Sequence, residues 1–345
     1  FTAGTSNVTF TGTGTPQLII NKGAGDFYDL TVNKASGELS IDNSGGDIAV
    51  TNDLTLTSGV LLLNDRSLSV GFTNILTASS FSSSNMISVT GDGRLDLQMP
   101  ADISTGNDTI IPVGTGSFVG VDTTYSPLTI KSGTDINAAS PYELSIGVFA
   151  VPSDKLLVTG EAIDRHWILN TSSPITSISG SLELNYDIAK DGFGVVGEET
   201  ELIAGRWDAG SGEWVTTEDD SDVDESGGIV VFSFSSDTTI NGEYTAAKPE
   251  PILGPPEAPT DLLATGYSAT SIDLAWNDNS SFETGFEIER STDPAFSTVA
   301  SSTVSANQTT YTDSTVAEGQ IVGCILMGWM IMWKYPIILY LIKIR

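Results

Sequence analysis

Short bursts of alternating apolar and polar residues run from about residue 27 to residue 78. Alternation with a period of two is typical of strands that bury one face. The bursts recur every six to nine residues with Gly, Asn, Asp or Ser between them, which favours a stacked β-solenoid with two or three bursts per coil. We therefore predict parallel β-coils over residues 1–85, with Leu61 and Leu63 facing the same way. The apolar residues are Leu30 and Val32, Leu39 and Ile41, Ile48 and Val50, Leu54 and Leu56, Leu61 and Leu63, Leu68 and Val70, and Ile75.

Longer strands with more aromatic residues follow over residues 86–247. The clearest candidates are residues 142–149, 166–169, 181–186, 202–207 and 228–234. Their length and spacing predict a β-sandwich. Prolines at positions 249, 251, 255, 256 and 259 then favour an extended, semi-rigid linker over residues 248–258, the clearest domain boundary of the chain.

Acidic residues far outnumber basic ones, with 44 Asp plus Glu against 14 Lys plus Arg and a net charge of -30. This charge repels the phosphates of nucleic acids and anionic lipid headgroups, so we exclude nucleic acid as a partner. It suits solubility outside the cell and offers oxygen ligands to calcium. The single cysteine, Cys324, excludes an internal disulfide framework. Because the chain opens at Phe1 without a signal peptide, we interpret it as a fragment or a processed chain.

The segment PEAPTDLLATGYSATSIDLAWNDNSSFETGFEIERSTD, followed by TTYTD, closely resembles a fibronectin type III domain. The resemblance places Leu262 on the first strand and Trp276, the core tryptophan, at the end of the second. Phe286 and Ile288 are then expected to face inward on the third. The resemblance ends where the sixth strand begins, so residues 259–320 are expected to form an incomplete fibronectin type III sandwich of the Ig-like kind.

Residues 321–345, IVGCILMGWMIMWKYPIILYLIKIR, differ in composition from the rest and contain no acidic residue. One interpretation is a transmembrane helix with Lys343 and Arg345 on the cytoplasmic side, although Lys334 and Pro336 near its middle count against it. A membrane is a partner only if this tail is a genuine anchor.

The interpretation that we favour for residues 321–345 is a shifted reading frame that begins near Gln320. The alternative frame can encode Arg-Val-Tyr followed by Asn-Gly and an acidic loop, as the sixth strand of a fibronectin module and its exit turn would read. A membrane helix cannot supply strands, because its backbone groups bond within the helix. We therefore expect the encoded tail to leave the module with an unpaired sheet edge and an open core, so that the protein is unstable or aggregates.

Trp207 and Trp214 flank a Gly-Ser-Gly turn and are candidate carbohydrate-binding residues, because exposed tryptophans on a β-sandwich can stack on sugar rings. The alternative, which we favour, is a hairpin whose two aromatic residues pair across the strands.

The alternating Asp220, Asp222 and Asp224 partly resemble an acidic calcium loop and are the candidate metal ligands, with calcium the one possible cofactor. Glu225 stands where that loop needs glycine, so a solvated acidic hairpin loop is favoured instead. His166 lies beside an acid in the run Asp-Arg-His-Trp, but it lacks a second histidine or a nearby cysteine. We interpret it as a strand histidine packed on Trp167.

The first 90 residues resemble the repeats of large surface proteins of Bacteroidetes, in phrases such as FYDLTVNKASGELSI and DLTLTSGVLLLNDRSLSVG. The phrases IIPVGTGSF, HWILN and RWDAGSGEW resemble the domain that follows such repeats. The resemblance implies a secreted or outer-surface adhesin, exported by the type IX route, whose sorting domain is absent from this chain.

The sequence singles out no catalytic site, and we expect a non-catalytic scaffold or adhesion protein with a glycan or a surface protein as its ligand. The alternative is a set of accessory or carbohydrate-binding modules of a secreted polysaccharide-degrading enzyme whose catalytic domain lies outside this chain. A binding module would show affinity for an insoluble glycan that is lost on Trp207→Ala or Trp214→Ala, whereas a pure spacer would show none.

Overall fold

The computed structural model describes the chain except for residues 1–4, 15, 21–25, 78–79, 118–120, 158–160, 192–201, 217–222, 225, 255, 269, 281–282, 294, 296, 317–320, 331–332 and 344–345. Nearly all of the regular structure is β-strand, which confirms the predicted all-β class. The chain divides into two compact units, Phe1–Ile252 and Leu253–Arg345.

The first unit opens with stacked parallel coils. Their strands are β1 (Asn7–Thr13), β2 (Gln17–Ile19), β3 (Asp29–Ile41), β4 (Ile48–Val50), β5 (Leu54–Leu62), β6 (Ser67–Gly71), β7 (Ile75–Thr77) and β8 (Ile87–Ser88). Leu30 on β3 pairs with Leu54 on β5, and Leu54 pairs in parallel with Ile75 on β7. On the third side of the coils, β4 pairs in parallel with β6. Three apolar bursts therefore make one coil, in agreement with the predicted solenoid.

The interior of the coils holds the apolar residues that the alternation identified. Leu61 and Leu63 are both fully buried, as are Leu30 and Leu54. Ile75 is half-buried and packs against the same core. Leu61 and Leu63 belong to this core and Leu62 between them does not, so the prediction that Leu61 and Leu63 face the same way is confirmed.

Polar side chains also stack from coil to coil at one corner of the solenoid. The Asn52 Nδ2 atom donates to Asp29 Oδ1 at 2.7 Å. One coil further on, Asn74 Nδ2 donates to the Asn52 carbonyl at 2.6 Å and to Asp53 Oδ1 at 3.2 Å. These bonds satisfy backbone and side-chain groups where the strands turn, so Asn and Asp between the bursts fix the register as well as the turns.

The sandwich region continues the same sheets. Its elements are β9 (Arg94–Met99), β10 (Asp102–Ser104), β11 (Thr109–Ile111), β12 (Val113–Ser117), β13 (Val121–Tyr125), β14 (Leu128–Ile130), β15 (Asp135–Ala138), β16 (Tyr142–Phe149), β17 (His166–Thr171), β18 (Ile175–Asn185), α1 (Ile188–Asp191), β19 (Ile203–Asp208), β20 (Glu213–Thr216), β21 (Val223–Asp224), β22 (Ile229–Asp237) and β23 (Gly242–Ala247). Each of the five stretches that the sequence singled out contains or overlaps one of these strands.

Three sheets organise the part of the first unit that the structure describes. The first follows the order β1-β3-β5-β8-β12-β13 and the second β4-β6-β9-β16-β17-β23-β19-β20, while the third is built on β10-β15-β18-β14-β11 with β22 beside β18. In the second sheet, β9 pairs in parallel with β6 of the solenoid and antiparallel with β16. One apolar core extends from Ile19 to Ala246. The region near residue 85, where the sequence divides solenoid from sandwich, is therefore continuous in both sheets and core.

The proline-rich segment contains the division between the two units. Instead of the extended connection expected over residues 248–258, Pro249–Leu253 form one short helical turn, α2. The physical reason is that proline has a backbone φ angle suited to the first turn of a helix, where its missing N–H is not needed.

The second unit is a two-sheet sandwich. Its strands are β24 (Thr260–Ser268), β25 (Ser271–Asn277), β26 (Gly285–Ser291), β27 (Ala300–Ser305), β28 (Thr310–Asp313), β29 (Ile321–Met330) and β30 (Trp333–Lys343). One sheet has the order β24-β25-β28 and the other β27-β26-β29-β30. Trp276 and Phe286 are buried with ring centroids 5.5 Å apart, and Leu262 and Ile288 are buried in the same core. The inward positions expected from the fibronectin resemblance are therefore correct.

The tail takes a form that neither sequence interpretation anticipated. Strand β29 pairs antiparallel with β26 from Gly285 to Ser291, and β30 pairs with β29. Cys324 on β29 is buried in the same core as Trp276. The expectation of an unpaired edge is wrong for this structure, because backbone pairing requires no particular side chains and the strand supplies a small apolar residue to the core.

Pro336 lies on β30, which is the outer strand of its sheet, where a missing donor is tolerated. No helix in the described part of the chain has the length and hydropathy that a bilayer crossing requires. The shifted reading frame is a statement about the gene and stays a prediction.

Candidate functional site

The Trp207–Trp214 hairpin forms the edge of the second sheet, where β19 pairs with β20. The two tryptophans are register partners, and their ring centroids lie 5.6 Å apart with the planes at 69°. Asp208 stabilises the turn, because its Oδ1 atom accepts hydrogen bonds from the backbone N–H of Gly210 at 2.7 Å and of Ser211 at 3.3 Å. These bonds hold the pKa of Asp208 below its usual value. The rings thus pair edge to face across the strands.

Trp214 packs against other residues of the first unit through its ring and its indole N–H. Its ring lies against a small apolar cluster of Leu156, Ala162, Ala247 and Ile252. Its Nε1 atom donates to the Lys155 carbonyl at 3.3 Å. With its one polar group bonded and its ring against this cluster, Trp214 has a structural role, whereas Trp207 borders open space.

A cavity of about 440 Å³ lies beside the Trp207 ring. Three neighbouring strands build it, because Ile168 on β17 is the register partner of Glu243 on β23, which in turn partners Trp207 on β19. Side chains alternate along a strand, so these three point away from the face that buries Trp167 and Tyr244. The walls of the cavity include Lys155, Asn170, Asp208 and Asn241.

Glu243 is the most unusual group in this cavity. It is only 8 % exposed, and its Oε1 atom has no hydrogen-bond partner. A buried acceptor without a donor costs free energy that the fold must offset elsewhere. The sequence contained one signal for it, since Glu243 is the single charged residue of β23.

His166 faces Glu243 without bonding to it. The His166 Nδ1 atom lies 2.8 Å from the Val151 carbonyl oxygen, so Nδ1 carries the proton, and Nε2 lies 3.7 Å from Glu243 Oε1. Burial lowers the pKa of His166, against smaller opposing effects of the Val151 carbonyl and of Glu243. In the neutral imidazole two acceptors therefore face each other across 3.7 Å.

The expected packing of His166 is different in detail. Its ring stacks on Phe149, with centroids 4.6 Å apart and planes at 10°, and the Arg94 guanidinium lies 5.1 Å from the centre of the Phe149 ring. The buried Trp167 belongs to the opposite face of β17 because successive side chains alternate. The prediction that His166 packs on Trp167 is therefore wrong in its partner.

Of the candidate calcium ligands, Asp220 and Asp222 lie outside the described residues. Asp224 is exposed at the end of β21, where its Oδ1 atom accepts hydrogen bonds from Ser226 Oγ at 2.7 Å and Gly227 N at 3.0 Å. The Ser226 hydroxyl, and then the Gly227 amide, lower the pKa of Asp224. Among the described residues no cluster of His, Cys, Asp and Glu is placed to hold a metal ion.

Comparisons with solved structures find β-sandwich domains that are similar to about a quarter of this chain. No family model matches the chain, and no curated protein matches it. The similar solved structures include a fibronectin type III domain of human collagen XX, with 14% identity over 25% of this chain and 88% of that chain and a TM-score of 0.23. They also include a fibronectin type III domain of human contactin 1, with 12% identity over 26% of this chain and 80% of that chain and a TM-score of 0.25. A redesigned β-sandwich protein is similar at 10% identity over 26% of this chain and 89% of that chain, with a TM-score of 0.24. The assignment of the second unit as a fibronectin-like sandwich rests on its own strand order.

Proposed function

We propose that this chain is a non-catalytic structural segment of a secreted or cell-surface protein. In this proposal the solenoid and the sandwich form one stiff spacer, and the fibronectin-like unit supports contacts or adds length. The observation that carries the proposal is the unbroken second sheet, in which Leu68 of the solenoid pairs with Leu95 and the same strand β9 pairs with β16 of the sandwich.

A shared sheet and core suit a load-bearing role. Close-packed interiors have low compressibility, so displacement at one end of a continuous core is transmitted to the other. Parallel coils also supply a repeat that lengthens without a new fold, because each coil packs on its neighbours.

The charge of the chain and its resemblances agree with a position outside the cell. A net charge of -30 keeps a protein soluble and repels anionic polymers. The resemblance to surface proteins of Bacteroidetes adds an adhesive role and export by the type IX route to the proposal.

Surface labelling of intact cells tests this function. Antibodies raised against the chain are expected to label unbroken cells of the organism that makes it, and protease treatment of those cells is expected to remove the signal. Labelling that appears only after lysis contradicts the proposal. Release of sugars or peptides from polymeric substrates by the purified chain contradicts its non-catalytic part.

A further inference from the structure

We propose that the cavity beside Trp207 binds a neutral sugar ring, with the Trp207 ring as its apolar wall and Glu243 as the acceptor for a sugar hydroxyl. This binding site goes beyond the structural role of the chain. It assigns ligand contact to Trp207 and Glu243 and gives no such contact to Trp214.

The unpartnered Glu243 carboxylate is the first ground for the site. Its Oε1 atom is buried and lacks a donor, although the residue borders a cavity of about 440 Å³. Cavities of this size are typical of small-molecule sites, in which a few polar groups fix the ligand's orientation. A ligand hydroxyl that donates to Oε1 removes the cost of the orphan acceptor.

The neighbouring His166 leaves the Glu243 carboxylate without a hydrogen-bond donor. His166 cannot supply one while its Nδ1 proton is directed at the Val151 carbonyl and its Nε2 is unprotonated. Nε2 and Glu243 Oε1 lie 3.7 Å apart as two acceptors. His166 does not border the cavity, so the donor that Glu243 lacks has to come from a ligand on the cavity side, which suits a donor-rich ligand such as a sugar.

The rim of the cavity offers the complementary group. The Asn241 Oδ1 atom accepts hydrogen bonds from the Thr171 amide at 2.8 Å and the Thr171 hydroxyl at 3.0 Å, which directs the Asn241 amide. Its Nδ2 is then the donor side, suited to a hydroxyl oxygen. An aromatic wall beside carboxylate and amide groups matches the apolar face and polar edge of a pyranose ring.

The charges that border the cavity and the net charge of the chain favour neutral sugars over acidic ones. Glu243 and Asp208 both border the cavity, and the chain carries a net charge of -30. The Lys155 ammonium in the same wall is already paired with Asp154. Acidic polysaccharides are therefore repelled at the site and at longer range. The chemistry favours a neutral glycan.

Calorimetric titration of the full chain tests the site, with mixed-linkage β-glucan, xyloglucan and galactomannan as neutral polymers and polygalacturonate as the anionic one. At least one neutral polymer is expected to bind. Glu243→Gln should weaken that binding by roughly tenfold or more, since a charged acceptor becomes a neutral one. Trp207→Ala should abolish measurable binding, and Trp207→Phe should retain part of it.

Glu213→Gln is the matched control, because Glu213 is exposed on the same hairpin and does not border the cavity. It should bind as the unmodified chain does. Melting temperatures of all variants separate loss of binding from loss of fold. Absence of binding to every neutral polymer, binding to polygalacturonate alone, or unchanged binding by Glu243→Gln and Trp207→Ala each overturns the proposal. None of these results changes the surface labelling on which the structural role depends.

Discussion

The Arg165 guanidinium and the Asp191 carboxylate form a two-pronged ion pair in the interior of the first unit. Arg165 Nη2 lies 2.6 Å from Asp191 Oδ1, and Arg165 Nε lies 3.0 Å from Oδ2. The two side chains are only 1% and 4% exposed, and Arg165 Nη1 also donates to Thr115 Oγ1 at 2.6 Å. The pair joins the start of β17 to the end of α1, and through Thr115 to β12.

Removing one charge of this pair should destabilise the protein strongly. Asp191→Asn leaves the guanidinium buried with weaker partners, and we expect it to lower the free energy of unfolding by about 3 to 5 kcal/mol. Urea unfolding of the first unit measures the change. The double variant Arg165→Met with Asp191→Leu buries no charge and should recover much of the loss. A cost for Asp191→Asn below about 1 kcal/mol, the value of an exposed pair, contradicts the buried geometry.

Acid should weaken the first unit through His166. Burial lowers the pKa of His166 in the folded state, whereas the unfolded chain has the ordinary value of about 6.5. As the pH falls below about 6.5 the unfolded state takes up the proton first, so stability decreases until the folded pKa is reached. The Val151 carbonyl, Glu243 and Asp154 favour the charged ring. Burial, in the same direction as the repulsion from Arg165, outweighs them and lowers the pKa.

Urea midpoints at about pH 7.5 and about pH 5.5 measure this effect. His166→Gln is the control, because His166 is the only histidine and the variant cannot take up that proton. The loss of stability on acidification should be larger in the unmodified chain than in His166→Gln. Equal losses in both proteins refute the assignment to His166.

The reactivity of the Cys324 thiol shows whether strand β29 of the tail is docked in the core of the second unit. It is 2% exposed in the core of the second unit, and burial raises the pKa of its thiol to about 11. We expect a disulfide reagent such as dithionitrobenzoate to react with the native chain only on unfolding, and with one thiol per chain in urea. The matched control is Ser301→Cys in a Cys324→Ala background, since Ser301 is exposed on β27. Reaction of native Cys324 as fast as the control contradicts the docking of β29.

The alternation of apolar and polar residues was sufficient to predict the stacked coils of the solenoid. The three bursts from Leu30 to Val50 repeat from Leu54 to Val70, so their stacking followed from period and spacing alone. The prediction that the tail leaves an unpaired sheet edge was wrong, because composition was weighed above backbone pairing. Ile321–Met330 fills the open edge of β26 whatever the origin of its sequence.

The Trp207 cavity shows the limit of sequence reasoning at a site. Trp207 was identified from its place beside a turn, but Glu243 and Ile168 become its neighbours only when three strands distant in sequence align. Asp224, by contrast, fitted a short motif, yet the structure places its carboxylate in its own turn. Side chains that meet through non-local pairing leave little trace in a single sequence.

Unfolding of the chain labelled with 5-fluorotryptophan tests the shared core of solenoid and sandwich most directly. Residues 1–85 contain no tryptophan, whereas Trp167 is fully buried in the sandwich and Trp276 belongs to the second unit. Leu61→Ala removes a buried solenoid side chain and should cost about 2 to 5 kcal/mol, while Leu18→Ala at a 57% exposed position is the control. If solenoid and sandwich unfold together, Leu61→Ala lowers the urea midpoint of the Trp167 fluorine signal and leaves that of Trp276 unchanged. A Trp167 midpoint that does not move contradicts the account.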